Sequence, residues 1–408
     1  MKRISIIGCA AAVIAVVFAT VPAAAHWYRE KVLHGFGNFG DGVYPQGNVV
    51  MDALGNLYGT AENGGGTGCR GGGCGIVFKL SPDRSETILH AFNGRDGAFP
   101  IAGLVMDTAG NLYGTTLKGG PRCGCGTVFK LAPDGTETMV HAFRGGWDGA
   151  FPLGALIFDQ AGNLYGTTSG GGRDCNGSGI GCGTVFRIDP AGQKTTLHAF
   201  RGDRDGIYPA AELSLGADGN FYGTTANGGI DCDSTGQGCG IVFKLTPEGQ
   251  ETVLYRFEGG PHGAYPAGGV TADAAGNLYG TTNNGGVDCD GSGGCGVVFK
   301  VAADGTETAL HVFAGGDDGM HPRATPLIDS EGNLFGTASS GGATQNEAGV
   351  VFRLRPGGAE KILYAFTGFK DGGGPFSGLT QDASGNLYGT TYFGGRYYSG
   401  TVFELKYR

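Results

Sequence analysis

One hexapeptide, Gly-Asn-Leu-Tyr-Gly-Thr, recurs seven times along the chain. It starts at Gly55, Gly110, Gly162, Gly219 (as GNFYGT), Gly276, Gly332 (as GNLFGT) and Gly385. Successive starts lie 55, 52, 57, 57, 56 and 53 residues apart. A near-constant period of this length means one supersecondary unit copied in tandem. A length of 408 residues would otherwise suggest two or three domains. Seven units of about 54 residues with no linker between them predict a single closed domain over residues 26–408. The chain holds 85 Gly and 16 Pro, a level that elsewhere flags low complexity. Here the glycines keep register with apolar runs and read as turns.

The third unit shows the pattern. It runs GALIFD, QAG, NLYGTT, a Gly-rich loop to Gly183, GTVFRI, DPAGQ and KTTLHAF. Four short runs rich in β-branched and aromatic residues are each bounded by Gly, Pro, Asp or Asn, which predicts four strands, a to d. The a–b turn is D-x-x-G-N in six units, and the fourth has Gly216 in place of the Asp. Asp starts such a turn as a side-chain acceptor, and Gly takes its positive φ. Each unit is therefore an antiparallel meander. Strands such as GTVFKL are apolar on both faces, as in sheets packed face to face. Seven such sheets set radially make a seven-bladed β-propeller, an all-β fold. The chain also begins with a d-like run, Lys31 to Phe36, and ends on a c strand, Thr401 to Leu405. Pairing these two ends would clasp the ring.

The unit D-x-x-G-N-L-Y-G-T…G-T-V-F-K-L-x-P-D-G-T-E-T resembles the repeat of the choice-of-anchor tandem repeat GloVer-containing proteins, over residues 31–408. More distantly it is similar to the NHL and streptogramin-lyase propeller repeats. The resemblance implies a bacterial exported propeller and no particular activity. Members of that family often end in an anchoring signal. This chain stops inside a strand, so release without an anchor is the expectation.

The N-terminus reads as a signal peptide over residues 1–25. Lys2 and Arg3 form a basic region, Ile4 to Val21 an apolar stretch, and Ala23-Ala24-Ala25 a cleavage pattern. A lipoprotein reading through Cys9 and an uncleaved anchor are the alternatives. Secretion or periplasmic residence follows. Losing Lys2 and Arg3 lowers the basic count from 28 to 26 against 37 acids, a net charge of −11. That charge argues against nucleic acid or anionic membrane as partners, and a monomer is expected. Ten cysteines fall in five local pairs, Cys69/Cys74, Cys123/Cys125, Cys175/Cys182, Cys232/Cys239 and Cys289/Cys295. In an exported chain such pairs read as disulfides. Zinc is the competing reading, but each loop supplies only two thiols. Cys123-Gly-Cys125 makes the tightest ring.

Long, varied d–a and b–c loops share one face of such a propeller, which is where function is expected. The d–a loops carry Asp-Gly: Asp41, Asp96, Asp148, Asp205, Asp318 and Asp371, with His262 at this place in the fifth unit. A ring of these carboxylates near the axis would hold a hard cation such as calcium. Alternatively, each Asp caps its own turn. Aromatic-Pro follows, at Tyr44, Phe99, Phe151, Tyr208 and Tyr265, replaced by His321 and then Gly374. His262 and His321 break the pattern on adjacent loops and are the candidate acid/base or metal pair, unless they are simple drift. Trp147 is a candidate ligand-stacking residue, or it packs on its own loop. His34, His90, His141, His198 and His311 hold one place in strand d, shared with Tyr255 and Tyr364, and read as structural.

No nucleophile–base pair stands out. The sequence predicts an exported binding or scaffold protein that recognises a glycan or a protein. A propeller lyase or lactonase using His262 and His321 is the alternative, and an inert envelope component is a third reading.

Overall fold

The computed structural model describes residues 28–407, apart from 38–39, 67, 176–178, 203, 233–236, 290 and 292. The expected signal peptide and Cys9 lie outside the described residues. Seven antiparallel sheets follow one another along the chain, six of four strands and the sixth of five. The blades span residues 50–91, 105–142, 157–199, 214–256, 270–312 and 320–365, and the seventh takes 380–407 together with Tyr28–Gly35. Among the described residues no helix is long and apolar enough to cross a membrane.

The predicted clasp is present. Tyr28–Gly35 pairs antiparallel with Thr401–Tyr407 as the outermost strand of the seventh blade, with Tyr28 opposite Tyr407 and Gly35 opposite Thr401. Strands b, c and d of the third blade are Leu164–Thr168, Thr184–Ile188 and Lys194–Ala199. Strand a is shorter than the apolar run predicts: only Ile157–Phe158 pairs. The reason is crowding at the axis. A Cβ added to Gly47 would lie 2.5 Å from the Ala102 carbonyl carbon of the next blade, so the chain there runs as a close-packed extended segment.

The hexapeptide can now be read atom by atom. In the third unit, Asp159 accepts from the backbone N–H groups of Ala161 and Asn163, from the Asn163 amide and from the Tyr165 hydroxyl at 3.0 Å. Where the fourth unit has Gly216, Asp218 takes over and accepts from Asn220, Tyr222 and Lys244. The second Gly of the motif faces a phenylalanine of strand c, since an added Cβ on Gly166 would lie 2.7 Å from Phe186 Cζ. The final Thr reaches across to the next blade. Thr60, Thr115, Thr167, Thr224, Thr281, Thr337 and Thr390 each donate to a carbonyl of the neighbouring inner segment, at 2.8 to 3.4 Å.

There is no single core. Seven apolar clusters each fill one seam between blades. At every seam the phenylalanine ending strand d meets the strand-c phenylalanine of the next blade, edge to face. Centroids lie 5.0 to 5.3 Å apart, from Phe36–Phe78 round to Phe366–Phe403. Each such pair adds about 0.5–1.5 kcal/mol beyond its burial.

Candidate functional site

The Asp of each d–a loop is held against the outermost strand. Asp148 accepts from the Arg144 N–H at 2.9 Å and lies 3.1 Å from His141 Nε2. Asp318 does the same with Ala314 at 2.7 Å and His311 at 3.1 Å. Asp371 takes the Thr367 N–H at 2.8 Å and the Tyr364 hydroxyl at 2.9 Å. Asp41, Asp96 and Asp205 accept from Gly37, Asn93 and Arg201. The six carboxylates are therefore not gathered about the axis. Each caps its own loop, because the Asp-Gly turn folds back onto the His or Tyr of the strand before it. Of the two readings the sequence left open, these contacts match the turn cap and not the axial calcium ring. Burial opposes ionisation of Asp148, but the hydrogen bond from His141 and the Lys194 ammonium outweigh it and hold it at about 2.

His262 and His321 take different partners. His262 Nδ1 lies 2.8 Å from Glu307 Oε2, at the start of the fifth blade's outer strand. His321 Nδ1 donates to the Asn283 carbonyl at 2.9 Å, on the b–c loop of that blade. Among the described residues neither belongs to a three-residue group able to hold a metal. The His262 position turns onto an outer strand while the His321 position docks on a b–c loop, so each candidate imidazole has a partner of its own.

The aromatic-Pro position has a backbone role. Tyr44, Phe99, Phe151, Tyr208, Tyr265 and His321 all sit at φ of 57 to 62°, which explains why Gly374 serves in the seventh unit. From that conformation the N–H groups of Phe99, Phe151, Tyr208, Tyr265 and His321 donate to the carbonyls of Cys74, Cys125, Cys182, Cys239 and Cys295, at 2.8 to 2.9 Å.

The cysteine pairs lie together as expected. Cα separations run from 5.2 to 5.9 Å over Cys69–Cys74, Cys123–Cys125, Cys175–Cys182, Cys232–Cys239 and Cys289–Cys295. Their setting adds what the pairing alone does not show. Cys74, Cys182, Cys239 and Cys295 are 0% exposed and Cys125 is 8% exposed. Each belongs to the apolar cluster of a seam: Cys74 with Phe92 and Phe129, and Cys295 with Phe313 and Phe352, for example. The reason is position. The second cysteine stands two residues before strand c, as Cys74 does before Ile76 and Cys295 before Val297, so the chain has already entered the blade. These five are core residues. Only the first cysteine of each pair stays in the loop, and the second is the residue whose carbonyl the next d–a loop docks on.

The three residues after each Pro line the axis, around a cavity of about 120 Å³. Unit by unit they read QGN, IAG, LGA, AAE, AGG, RAT and FSG. Small and aliphatic residues fill the second and third units and the fifth, while Gln46, Glu212, Arg323 and Phe376 break the pattern. Comparison at the Asp-Gly and aromatic-Pro positions overlooks these four, although the same unit-by-unit comparison carried three residues further finds them. Burial in the channel raises the Glu212 carboxyl above its usual range, against the hydrogen bond it receives from Thr325.

One sector of the mouth is distinct. The rings of Tyr44 and Tyr392 stack at 4.9 Å, Tyr392 meets Phe376 at 5.1 Å, and the Arg323 guanidinium covers Phe376 at 5.1 Å. This file crosses from the first blade over the seventh to the sixth. Polar groups edge it: the Gln46 amide donates to Glu62 at 2.7 Å, and Arg323 Nε donates to Asn283 Oδ1 at 2.9 Å. Burial raises the Glu62 carboxyl and lowers the Arg323 guanidinium from their ordinary values. Beside the file, Phe369, Phe393, Tyr397 and Tyr398 are exposed, which makes the seventh blade's loops the aromatic-rich part of this face. Trp147 is 69% exposed. It stands apart on the rim, its carbonyl accepting from the Thr196 hydroxyl of the third blade's outer strand, in a groove with Arg173 and Arg201.

A family model described as the Gloeobacter/Verrucomicrobia repeat matches residues 15–180, 175–292 and 232–408. No curated protein matches the sequence. Among solved structures, a candidate gluconolactonase aligns over 95% of this chain and 93% of its own, at 12% identity and a TM-score of 0.48. PorZ, a surface component of the type-IX secretion system of Porphyromonas gingivalis, aligns over 90% of this chain and 46% of its own, at 14% identity and a TM-score of 0.52. The extracellular domain of a candidate one-component system of B. thetaiotaomicron aligns over 93% of this chain and 41% of its own, at 10% identity and a TM-score of 0.53. This chain spans less than half the length of the last two proteins, and the likeness to them is one of fold.

Proposed function

This chain belongs to the Gloeobacter/Verrucomicrobia repeat family, and we propose that it is an exported, non-catalytic recognition propeller that binds a glycan on the mouth sector of the sixth, seventh and first blades. The observation that carries this reading is the file Tyr44–Tyr392–Phe376–Arg323. Stacked rings with polar groups along their edges match the amphipathic faces of a pyranose: C–H faces pack on aromatic rings, and hydroxyl groups bond to amide, carboxylate and guanidinium. A rigid ring of seven blades holds these side chains in place before binding, which lowers the entropic cost of recognition. Five cysteine pairs fit an oxidising compartment, in keeping with export.

The test is a glycan array probed with the mature protein, followed by titration of any hit. Arg323→Ala and Tyr392→Ala are expected to weaken binding tenfold or more, each with an unchanged far-UV spectrum. Trp147→Ala is expected to leave it unaltered, since Trp147 lies on the rim. No binding across the array, or full binding by R323A and Y392A, overturns the reading.

A further inference from the structure

The seams between blades carry a second repeated arrangement, on the outer rim. At each seam the His or Tyr of one blade's strand d and the Asp of its d–a loop meet the first residue of the next blade's strand d. That first residue is Glu86, Glu137, Lys194, Glu251, Glu307 or Glu360, and at the clasp Glu30, third in its strand, holds the equivalent place opposite Leu405.

At three seams the group is His, Asp and Glu with converging donor atoms: His34, Asp41 and Glu86; His90, Asp96 and Glu137; His198, Asp205 and Glu251. Within each, one ligand atom per residue lies within 4.8 Å of the others. His34 Nε2 is 3.9 Å from Glu86, His90 Nε2 is 3.3 Å from Asp96, and His198 Nε2 is 3.3 Å from Asp205. Six of these atoms, the Nε2 of each His and the Oε1 of each Glu, are buried and make no hydrogen bond of good geometry. Orphaned polar atoms in that number are costly unless something satisfies them.

The departures from the pattern say what is missing. Where Lys194 replaces the Glu, its ammonium lies 3.2 Å from Asp148, and its side chain is only 5% exposed. Where His262 replaces the Asp, its ring meets Glu307, whose side chain is 2% exposed. Those two seams bring their own group able to carry positive charge. Glu30, Glu307 and Glu360 also leave an Oε1 without a partner, but among the described residues the imidazole Nε2 is left unsatisfied as well only at the three seams of His34, His90 and His198, whereas His141 and His311 bond Asp148 and Asp318. The three seams whose donor atoms converge each bury two carboxylates beside one imidazole.

We propose that these three seams are divalent-metal sites that lock neighbouring blades together. One imidazole nitrogen and two carboxylate oxygens form a mixed N/O donor set, which suits Zn²⁺ or a similar first-row ion better than Ca²⁺. A tetrahedral zinc with ligands at about 2.1 Å needs donors roughly 3.4 Å apart, within the range that these groups already span. The fourth position is left to water. Each ion would tie two residues of one blade to one of the next.

The experiment uses the mature protein, stripped with a chelator and dialysed against Zn²⁺, with native mass spectrometry and elemental analysis to count bound metal. At least three equivalents per chain are expected. Glu86→Gln, Glu137→Gln and Glu251→Gln should each lose one, and the triple variant should lose three. Zinc should raise the melting temperature of the wild type and leave that of the triple variant unchanged. Each Gln keeps the size of Glu and removes a buried charge, and circular dichroism of the metal-free variants serves as the folding control. Fewer than three equivalents on the wild type, or undiminished binding by the triple variant, overturns the proposal. Seams satisfied by protons alone would show as no zinc uptake, which also overturns it.

Discussion

The Thr390 hydroxyl donates to the Gly47 carbonyl at 3.3 Å, joining the last blade to the first across 343 residues of sequence. The same bond recurs between every other pair of neighbouring blades, so the seventh copy shows that the ring closes with the geometry of its interior. The Phe36–Phe78 contact repeats this agreement in apolar form.

Thr390→Val keeps the shape and removes the donor. The Gly47 carbonyl then loses its partner in a buried setting, at a cost of about 1–3 kcal/mol. Thr167→Val, which frees the Ala211 carbonyl within the ring, is expected to cost a similar amount. Urea denaturation of the two variants checks this.

Gly166→Ala tests the second Gly of the motif. The new methyl would lie 2.7 Å from Phe186 Cζ and 2.8 Å from Leu156 Cδ2. One of them must move, which costs about 1–3 kcal/mol in a close-packed interior. A lower denaturation midpoint with an unchanged slope is the expected result.

The clasp should weaken as pH rises. Burial, aided by the charge of Asp371, raises Glu30 from 4.5 to about 7. An acid with a raised folded pKa holds its proton more tightly when folded. Its contribution is therefore complete below about pH 4.5 and is lost as pH climbs through 7. Glu30→Gln keeps a neutral side chain at every pH. The variant should match the wild type at pH 5 and melt higher at pH 8, measured by calorimetry in the same buffers.

The disulfides should add. Cys175→Ala with Cys182→Ala opens a short loop, which costs about 2.5 kcal/mol on the chain-entropy model, and gives up the packing of the buried Cys182 sulfur as well. The pairs sit in different blades, so removing a second one, Cys232 with Cys239, should cost about as much again. Thermal melts of the single-pair and double-pair variants test this, with thiol alkylation confirming that the remaining cysteines stay paired.

Much of the fold was legible in the sequence because every signal for it is local. Asp159 to Asn163 specifies its turn within five residues, and the strand runs b, c and d lie where their β-branched and aromatic residues predict. The clasp was legible as a missing strand at one end and a spare one at the other. Strand a was not, since its length depends on how closely seven inner segments approach the axis, and no single unit contains that information. The role of the loop Asp residues was open for the same reason: a carboxylate near an axis and one folded onto its own outer strand look alike in one dimension. The cysteines show both sides. Pairing Cys74 with Cys69 and Cys295 with Cys289 needs only their spacing, but the burial of Cys74 and Cys295 comes from a neighbouring blade that their own loop does not encode.

The candidate site divides in the same way. The four post-proline breaks Gln46, Glu212, Arg323 and Phe376 were there to be found by position in the repeat. Their grouping was not. Tyr44 and Tyr392 stand near opposite ends of the chain, and Arg323 belongs to another blade again. The sequence by itself determined the number of blades, the strand order and the closing strand, because periodic local chemistry is written into each copy. Only the tertiary structure decided which exceptions to the period become neighbours, because closing the ring brings the two ends of the chain together and sets their non-repeating side chains face to face.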